Sequence, residues 1–290
     1  MSPVSDTDTE TEATEIARGD VLELDDGRFT AENVAVVTGA ASGIGRATAA
    51  ALAVNGLSVV ATDLDGAGLD DTASLAAGLD APGRVVPVEA DLTDDDAVRS
   101  IVEEAAAVGT LRYLANVAGL QHIDPIEEFP VEKFDLLHDV MVRAPFLLAK
   151  LTIPEIRATD DGVGAIGNMC SIHGHVATQD KVGYVTSKFG LRGLTQSIAA
   201  EGDGSIRAFT VSTSYVRTPL VEGQIPDTAR ERDVSEEEVV EDVMLGGSRV
   251  KEMMTPVEVA NLFTFGFSEY GRHLDGGDLP WDGGHLTTYE

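Results

Sequence analysis

Two residues one helical turn apart, Tyr184 and Lys188, could together move a proton at neutral pH. A free tyrosine titrates at about 10, which is too high for an efficient base near pH 7. Because the two residues share one face of a predicted helix over 182–201, the ammonium of Lys188 should favour phenolate and lower the pKa of Tyr184. Ser171 ends a predicted strand and can hold the substrate oxygen. These residues predict alcohol oxidation or the reverse reduction, with Tyr184 as the base.

A glycine-rich turn over 38–45 (TGAASGIG) could hold the phosphates of a dinucleotide. Glycines let the backbone approach a pyrophosphate, and the free N–H groups of the following helix attract its charge. About twenty residues on, Asp63 ends the second predicted strand, where its carboxylate can accept hydrogen bonds from ribose hydroxyls. The acid repels a 2′-phosphate and no Arg or Lys flanks it, which favours NAD over NADP. The alternative is a surface aspartate in a turn.

The elements that position these residues alternate between strand and helix. Short apolar, β-branched runs predict strands buried on both faces, and they lie at Asn33–Thr38, Leu57–Thr62, Arg84–Glu89, Leu111–Asn116, Gly164–Met169 and Ile206–Ser212. Helical segments lie between them, notably 44–54, 94–107, 131–152 and 182–201. This alternation predicts an α/β fold, a Rossmann-type doubly wound parallel sheet with helices on both faces. There is no second strand–helix series and no internal repeat, so a single domain is expected.

Two segments depart from the alternation. Residues 1–30 are rich in Asp, Glu and Thr without apolar periodicity, which predicts a mostly disordered acidic leader ahead of a catalytic domain over 31–290. Residues 219–265 form an acidic helical insert (VSEEEVVEDVM in part). Since long insertions after a strand tend to close sites, residues 219–255 are predicted to be a helical substrate lid.

The charge of the chain limits its partners. Fifty acidic residues against twenty basic ones give a net charge of −30, and the first thirty residues hold only nine of the acids and two of the arginines. Such a surface repels nucleic acid and anionic membranes, so neither is an expected partner. No apolar run is long enough for a membrane span, and the polar N-terminus is unlike a secretory signal. A cytoplasmic protein is expected.

The cysteine and lysine contents add two expectations. The single cysteine, Cys170, excludes an internal disulfide framework and a multi-cysteine zinc site, and no metal is expected; we interpret Cys170 as a small buried residue. Only five basic residues are lysines. An acidic, lysine-poor surface resembles proteins of salt-loving organisms, where about 1 M salt gives a Debye length of about 3 Å and screens self-repulsion. A halophilic cytoplasm is our hypothesis, and an ordinary acidic protein is the alternative.

Taken together, these motifs resemble the short-chain dehydrogenase/reductase family from about Asn33 to the C-terminus. The pattern TGAASGIG is similar to the family's TGxxxGxG signature, residues 116–119 (NVAG) to its NNAG motif, and Ser171 with residues 184–188 (YVTSK) to its Ser and YxxxK. The resemblance implies catalytic residues Ser171, Tyr184 and Lys188. It implies an NAD site formed by Gly39, Ser42, Gly43, Ile44, Gly45, Asp63, Asp91, Leu92, Asn116, Ala118, Gly119, Tyr184, Lys188, Val216 and Thr218.

The chain departs from the family pattern in two places. The family usually has an asparagine in the helix before the fifth strand, where it supports a water relay to the lysine, and here that position is Met141. Methionine cannot bind water as an amide does. After the sixth strand, Thr213 and Ser214 replace the usual PG. Thr218 remains where the family contacts the nicotinamide carboxamide.

Several segments resemble the 3-hydroxybutyrate dehydrogenases more narrowly, among them 118–130, 170–188, 215–244 and 281–285. In that subfamily, residues matching Gln121, His173, Lys181 and Gln224 surround the substrate carboxylate, and Tyr215 stands where an aromatic wall is common. His285 takes a position often held by tryptophan. Independently of the resemblance, Ser171, His173, Lys181 and Tyr184 lie within fourteen positions, so an anionic hydroxy or keto acid is the expected partner. His173 could instead be a loop histidine and Lys181 a solvated charge.

The sequence therefore predicts NAD-dependent, reversible oxidation of (R)-3-hydroxybutyrate to acetoacetate. One alternative is a short-chain reductase for another β-keto or hydroxy substrate. Another is an NAD-binding regulatory protein with impaired turnover, which Met141 favours and the intact catalytic residues oppose. The apolar face of the Tyr184 helix, and the family's habit of pairing such helices, imply a homodimer or homotetramer.

Overall fold

The computed structural model describes residues 16–287 and contains one seven-stranded parallel sheet. The strand order is β3-β2-β1-β4-β5-β6-β7, in which the chain reverses direction across the sheet between β1 and β4. The strands are β1 (Asn33–Thr38), β2 (Ser58–Asp63), β3 (Arg84–Glu89), β4 (Thr110–Asn116), β5 (Gly164–Met169), β6 (Ile206–Thr213) and β7 (Asp278–Trp281). In open parallel sheets of this order, ligands bind at the carboxyl ends of the strands beside that reversal.

Helices cover both faces of the sheet. The α-helices are α1 (Gly43–Val54), α2 (Gly66–Gly78), α3 (Asp95–Val108), α4 (Val131–His138), α5 (Ala144–Arg157), α6 (Val182–Glu201), α7 (Pro219–Glu222), α8 (Gln224–Arg232), α9 (Glu236–Glu238) and α10 (Pro256–Phe267). Alternate residues of each strand enter opposite cores: Ala35 and Val37 pack with α1, α2 and α10, whereas Val34 and Val36 pack with α3, α5 and α6. The predicted doubly wound α/β fold is confirmed.

The six predicted strands are present, and a seventh was not predicted. β7 is four residues long and pairs only with β6, from Thr210↔Asp278 to Thr213↔Trp281. Its sequence, DLPW, contains Pro280, and its last two residues are exposed. Proline is tolerated at a sheet edge because no neighbour there needs its missing N–H. A short edge strand of this composition carries no apolar run for a sequence pattern to detect.

The predicted helix over 131–152 is interrupted. A π-helical turn, Asp139–Arg143, separates α4 from α5, and Met141 is buried within it. Pro145 has no N–H to donate to the carbonyl of Met141, so a regular α-helical hydrogen bond cannot form there. π turns inside helices often mark functional sites, and this one places Met141 against the active-site wall described below.

The prediction of a disordered leader is wrong for residues 16–30, and residues 1–15 lie outside the described part of the chain. Val21 and Phe29 are buried. The Arg18 guanidinium donates to the carbonyls of Leu79 and Asp80 at 3.0 and 2.8 Å. The backbone of Leu22 donates to Asn261 of α10 at 2.8 Å. The acidic composition of residues 16–30 gave no sign of their few buried apolar side chains. Burial of these side chains is enough to hold the segment against neighbouring helices.

The insert after β6 is helical, as predicted, but shorter than 219–265. Residues 256–267 form α10, a buried layer helix that packs on α1. The remaining segment, 219–255, carries α7, α8, α9 and a π-helical turn at Val239–Met244. Its two ends are joined by a β-bridge, Val216↔Met254, in which the Arg217 N–H donates to the Met254 carbonyl at 2.8 Å. We call residues 219–255 the lid segment.

Candidate active site

The glycine-rich turn between β1 and α1 leaves room for an anionic group. Gly39 has a φ of +67°, and a Cβ added there would lie 2.7 Å from the Cα of Ala118. The N-cap residue of α1, Ser42, makes no side-chain hydrogen bond to the first turn. The helix N–H groups therefore stay available at the positive end of its dipole. This turn fits the pyrophosphate of a dinucleotide.

A cavity of about 590 Å³ runs along the carboxyl ends of β1, β2, β4 and β5. All but one of the residues predicted for catalysis and cofactor binding line it, namely Gly39, Ser42, Gly43, Ile44, Gly45, Asp63, Asp91, Leu92, Ala118, Gly119, Ser171, Tyr184, Lys188, Val216 and Thr218. The exception is Asn116. Its buried amide donates to Asn168 at 2.7 Å, so it joins β4 to β5 below the cavity floor.

Asp63 connects the end of β2 to the glycine-rich turn. Its Oδ2 accepts a hydrogen bond from the Ala41 N–H at 3.1 Å, and its Oδ1 accepts one from the Leu64 N–H at 2.7 Å. The carboxylate lies on the cavity wall and is partly exposed. Arg46 lies behind the same turn, where it donates to the Ala41 carbonyl and, at 3.2 Å, to Thr72. The site thus presents a carboxylate to the cavity, with a cation held behind the turn.

Ser171 and Tyr184 meet at the far end of the cavity. Ser171 follows β5 and caps a 3₁₀ turn, Ile172–Gly174, by accepting from the His173 N–H at 3.2 Å. Tyr184 lies in the first turn of α6. Burial raises the pKa of Tyr184 above its ordinary value, and the nearby Ser171 side chain acts in the opposite direction. The two hydroxyls are therefore placed to share one substrate oxygen.

The prediction that Lys188 lowers the pKa of Tyr184 is wrong, because burial raises that pKa. The Lys188 Nζ lies 5.2 Å from the centroid of the Tyr184 ring and donates to the Met169 carbonyl at 2.7 Å. Burial lowers the pKa of Lys188 itself to about 8. For both groups, loss of hydration on burial is the largest cause of the pKa shift. The ammonium lies over the ring face, where it interacts with the π-electrons.

Met141 fills the place where an amide was expected. A Cβ built on Gly119 would lie 3.7 Å from the Met141 Sδ and 4.0 Å from the Lys188 Nζ. The thioether is thus part of the wall beside the lysine. A thioether is a weak acceptor and has no hydrogen to donate. Lys188 instead donates its hydrogen bond to the Met169 carbonyl at the end of β5.

Two of the predicted substrate residues lie near the start of α6, which carries Tyr184. The His173 ring stands edge-on to the Tyr184 ring, with centroids 5.9 Å apart. Burial, and then the nearby Lys181, lower the pKa of His173 to about 4. His173 is therefore neutral at pH 7 and can donate or accept one hydrogen bond. Lys181 precedes α6, and burial lowers its pKa as well.

The other predicted substrate residues make no described contact with the Tyr184 ring. Tyr215 follows β6 and packs against the apolar side of the lid segment. Gln224, at the start of α8, donates to the Leu220 carbonyl at 2.9 Å, and Gln121 accepts from the His122 N–H at 3.1 Å. Within residues 16–287, no hydrogen bond joins either glutamine to His173 or Lys181. His173 therefore lies against Tyr184 and Lys181 precedes the same helix, whereas each glutamine is hydrogen-bonded within its own segment.

Sequence reasoning missed two groups near this site. His175 Nε2 lies 2.8 Å from the Asp278 carboxylate, which also accepts from Thr210 and Ser212 at 2.6 and 2.8 Å. This contact joins the turn that carries Ser171 to β6 and β7. Arg232, at the end of α8, is close enough to Lys181 for its charge to lower the ammonium's pKa. Neither group belongs to a recognisable motif, because each depends on a tertiary contact.

Comparison with known proteins agrees with this geometry. The family model for short chain dehydrogenases matches residues 33–229, which include the glycine-rich turn, Ser171 and the Tyr184–Lys188 pair. The chain is a member of the short-chain dehydrogenase family. As such it is an oxidoreductase that uses a nicotinamide dinucleotide, NAD or NADP. Within residues 16–287, no helix has the length and apolarity needed to span a bilayer.

Curated relatives of this short-chain dehydrogenase include enzymes for hydroxy acids. A D-beta-hydroxybutyrate dehydrogenase from Rhizobium meliloti is 36% identical over 86% of this chain and 97% of its own. Another from Cupriavidus necator is 31% identical over 87% and 97%. A cis-4-hydroxycyclohexanecarboxylate dehydrogenase from Sinomonas cyclohexanicum is 35% identical over 90% and 100%.

Solved structures share the fold. Levodione reductase superimposes with a TM-score of 0.83 at 27% identity, over 90% of this chain and all of that one. A dehydrogenase structure from Beutenbergia cavernae with bound NADP has a TM-score of 0.79 at 27% identity, over the same shares. The architecture of the family therefore extends across nearly the whole chain.

Proposed function

We propose that this short-chain dehydrogenase catalyses the reversible, NAD-dependent oxidation of (R)-3-hydroxybutyrate to acetoacetate. The observation that carries the proposal is the His173 ring edge-on to the Tyr184 ring, with Lys181 at the N-cap of the helix that carries Tyr184. A small acid whose hydroxyl reaches Tyr184 would have its carboxylate near these two groups. The similarity to the hydroxybutyrate dehydrogenases of Rhizobium meliloti and Cupriavidus necator supports the same substrate.

The proton-transfer step would use the two hydroxyl groups. A bound nicotinamide dinucleotide would supply the hydride acceptor and a positive charge near the reacting carbon. Ser171 would hold the substrate oxygen, and Tyr184 would take the hydroxyl proton as general base. Since burial raises the pKa of Tyr184, the phenolate needs positive charge in its surroundings, and Lys188 would provide part of it from 5.2 Å. Lys188 would also be available to a ribose hydroxyl.

The carboxylate of the substrate would be held by one charged and one neutral hydrogen-bond donor. Lys181 would attract the carboxylate, and neutral His173 would donate one hydrogen bond to it without adding a second charge. Gln121, Gln224 and Tyr215 would complete the pocket as the lid segment, 219–255, closes over the substrate. In a protein with a net charge of −30, local cations are needed to attract an anion at all.

The preference for NAD over NADP would come from Asp63. Its carboxylate lies on the cavity wall at the end of β2, where it would accept hydrogen bonds from ribose hydroxyls and repel a 2′-phosphate. Arg46 is engaged by the Ala41 carbonyl and Thr72 behind the turn, so it is not directed to a phosphate. The remaining cavity residues would hold the pyrophosphate, adenine and nicotinamide portions.

A second candidate is oxidation of a larger hydroxy acid. The similarity to the cis-4-hydroxycyclohexanecarboxylate dehydrogenase favours it, since that enzyme's name also indicates a hydroxyl and a carboxylate on one molecule. A regulatory protein that only binds NAD would keep the glycine-rich turn but would not need Ser171, Tyr184 and Lys188 in one cavity.

One assay tests these proposals together. The absorbance of NADH would be followed with (R)-3-hydroxybutyrate, cis-4-hydroxycyclohexanecarboxylate and a neutral secondary alcohol, with NAD and with NADP. We expect the highest kcat/KM for the first acid with NAD. Tyr184→Phe should lower kcat by at least about 1,000-fold while the affinity for NAD, measured by calorimetry, stays unchanged. Near-normal turnover of this variant would disprove the proposed base.

We also propose that the protein works in a salt-rich cytoplasm. The net charge of −30 with only five lysines implies strong self-repulsion in dilute buffer. Molar KCl should therefore raise the thermal unfolding midpoint and the activity. The absence of any salt stabilisation would favour an ordinary acidic protein.

A further inference from the structure

Ser171 and His175 are the two ends of one hydrogen-bonded turn, which we call the serine turn (residues 171–175). The Gly174 N–H donates to the Ser171 carbonyl at 2.9 Å. The next N–H, that of His175, donates to the Ile172 carbonyl at the same distance. The Gly174 carbonyl accepts from Arg192 of α6 at 2.8 Å, which holds the middle of the turn. The position of the serine therefore depends on what holds the histidine.

The Asp278 carboxylate of β7 holds the histidine end of the serine turn. It lies 2.8 Å from His175 Nε2 and accepts from the Thr210 and Ser212 hydroxyls of β6 at 2.6 and 2.8 Å. Because an ionised carboxylate can only accept, Nε2 of His175 carries the proton of this bond. The two side chains are largely shielded from water, with 14% of Asp278 and 22% of His175 exposed. A hydrogen bond to a charged acceptor is stronger than one between neutral groups, so the contact can fix the turn against β6 and β7.

The sheet edge does not need this histidine. β7 pairs with β6 over four residues, and Asp275 just before β7 accepts from the Ala208 N–H at 3.1 Å. His175 belongs to neither strand, so its hydrogen bond extends the network from the sheet to the serine turn. The Ser171 hydroxyl follows that turn, because it accepts from the His173 N–H at 3.2 Å. A displacement of the turn would therefore displace the hydroxyl.

We propose that His175 and Asp278 are positioning residues, which hold the Ser171 hydroxyl where it meets the substrate oxygen beside Tyr184. The inference rests on the proposed role of Ser171 in alcohol oxidation and extends it. A misplacement of about 1 Å can cost about 100-fold in rate, so a turn held only by Arg192 would slow the reaction. Acids and neutral alcohols both place a hydroxyl at Ser171, so loss of this contact slows the two classes of substrate alike.

Steady-state kinetics of matched variants test the role of this contact. His175→Leu should lower kcat by about 10- to 100-fold for (R)-3-hydroxybutyrate and for 2-butanol, with KM changed by less than about threefold. His175→Gln keeps an N–H donor and should recover most of the loss. Asp278→Asn should lower kcat by about tenfold, because it removes the charge from the acceptor. The controls are His273→Leu, at an exposed histidine, and Asp275→Asn, at the acid that bonds β6 but not the turn, and both should behave as wild type.

A double-mutant cycle with Ser171→Ala shows whether the histidine acts through the serine. If it does, adding His175→Leu to Ser171→Ala should lower kcat by less than about twofold further, because the group that it positions is already gone. Losses that multiply would mean that His175 acts only through the general stability of the fold, and they would overturn the inference. An unchanged kcat in His175→Leu, or equal losses in Asp275→Asn and Asp278→Asn, would also reject it.

Hydrogen exchange separates this inference from the proposed function, because it needs no turnover. The amides of residues 173–175 should exchange at least about tenfold faster in His175→Leu than in the wild type, while those of β1 and α1 stay unchanged. If 2-butanol but not hydroxybutyrate is oxidised, and His175→Leu both loosens the turn and slows that reaction, the proposed substrate is wrong and the positioning role stands. If hydroxybutyrate is oxidised but the turn exchanges equally in both proteins, the positioning role is wrong and the proposed function stands.

Discussion

The two ends of the cavity differ in the chemical groups that form them. The dinucleotide end consists of glycines, backbone N–H groups and Asp63, all fixed by the ends of adjacent parallel strands. The proposed acid end consists of side chains from separate segments, including His173 after β5 and Lys181 before α6. The first end follows from the sheet itself, whereas the second depends on how loops and helices pack around it.

This difference predicts that substitutions will separate the two ends functionally. Changes at the dinucleotide end should affect every substrate alike, because all of them need the cofactor. Changes at the acid end should affect anionic substrates and leave neutral alcohols nearly unchanged.

The largest effect is expected at the dinucleotide end. In Gly39→Val, a Cβ would lie 2.7 Å from the Ala118 Cα, and the side chain would have to adopt a φ of +67°. The steric overlap costs about 1–3 kcal/mol and the strained φ about 1–3 kcal/mol more, so NAD affinity should fall by at least about 30-fold for all substrates equally. Calorimetric titration with NAD measures the loss. A loss of activity confined to hydroxybutyrate would contradict the proposed difference between the two ends of the cavity.

Lys181→Ala should have a comparable or slightly smaller effect, confined to the acid. Loss of a charged hydrogen bond costs about 1.5–3 kcal/mol, which raises KM for hydroxybutyrate by about 10- to 150-fold. The kcat/KM for 2-butanol should be unchanged within about twofold, since a neutral alcohol does not need the ammonium. Steady-state kinetics with both substrates test this. Lys133→Ala, an exposed lysine of α4, is the control.

Asp63→Ser should change the choice of cofactor by about 30-fold. Removing the carboxylate takes away repulsion of a 2′-phosphate and an acceptor for ribose hydroxyls, each worth about 1 kcal/mol. The ratio of kcat/KM with NAD to that with NADP should therefore fall, with the same change for hydroxybutyrate and 2-butanol. An unchanged ratio would place the discrimination elsewhere on the cavity wall.

The smallest effect at neutral pH is a pH dependence of stability that originates at His173 and develops only in acid. Burial lowers the pKa of His173 to about 4, whereas in the unfolded chain it titrates at about 6.5. Between these values the unfolded state binds the extra proton, so stability is full above about pH 6.5 and falls as the pH drops towards 4. His173→Gln should lose about 1–3 kcal/mol less than the wild type over this window.

Urea unfolding at pH 7.0, 5.5 and 4.5 measures that difference. His273→Gln, which changes a largely exposed histidine near β7, is the matched control and should follow the wild-type pH profile. Parallel curves for the wild type and His173→Gln would mean that His173 is as easily protonated in the folded protein as in the unfolded chain.

The same division explains how much the sequence could predict. The strands β1 and β5 lie at the predicted residues, because buried parallel strands require continuous apolar runs. The edge strand β3 also lies where predicted, although it is only partly buried. The glycine-rich turn and the Tyr184–Lys188 spacing encode local backbone geometry, which a linear pattern records. Their placement on one cavity follows from the sheet.

A local sequence pattern cannot predict contacts between residues that are far apart in the chain. Neither Arg232 nor the contact between His175 and Asp278 has a local signature, because each joins residues far apart in the chain. The raised pKa of Tyr184 was missed for a related reason. Spacing shows that Lys188 is near, but only the folded site shows that burial outweighs its charge.

The bridge between Val216 and Met254 has a consequence for how this enzyme could acquire new substrates. Because the chain leaves the domain and returns to it at adjacent residues, the helices between them form an exchangeable module on a fixed base. Residues could be inserted, deleted or replaced within this module without altering the sheet register. Grafting the module between related enzymes should therefore transfer substrate preference while the hydride-transfer chemistry is inherited from the recipient.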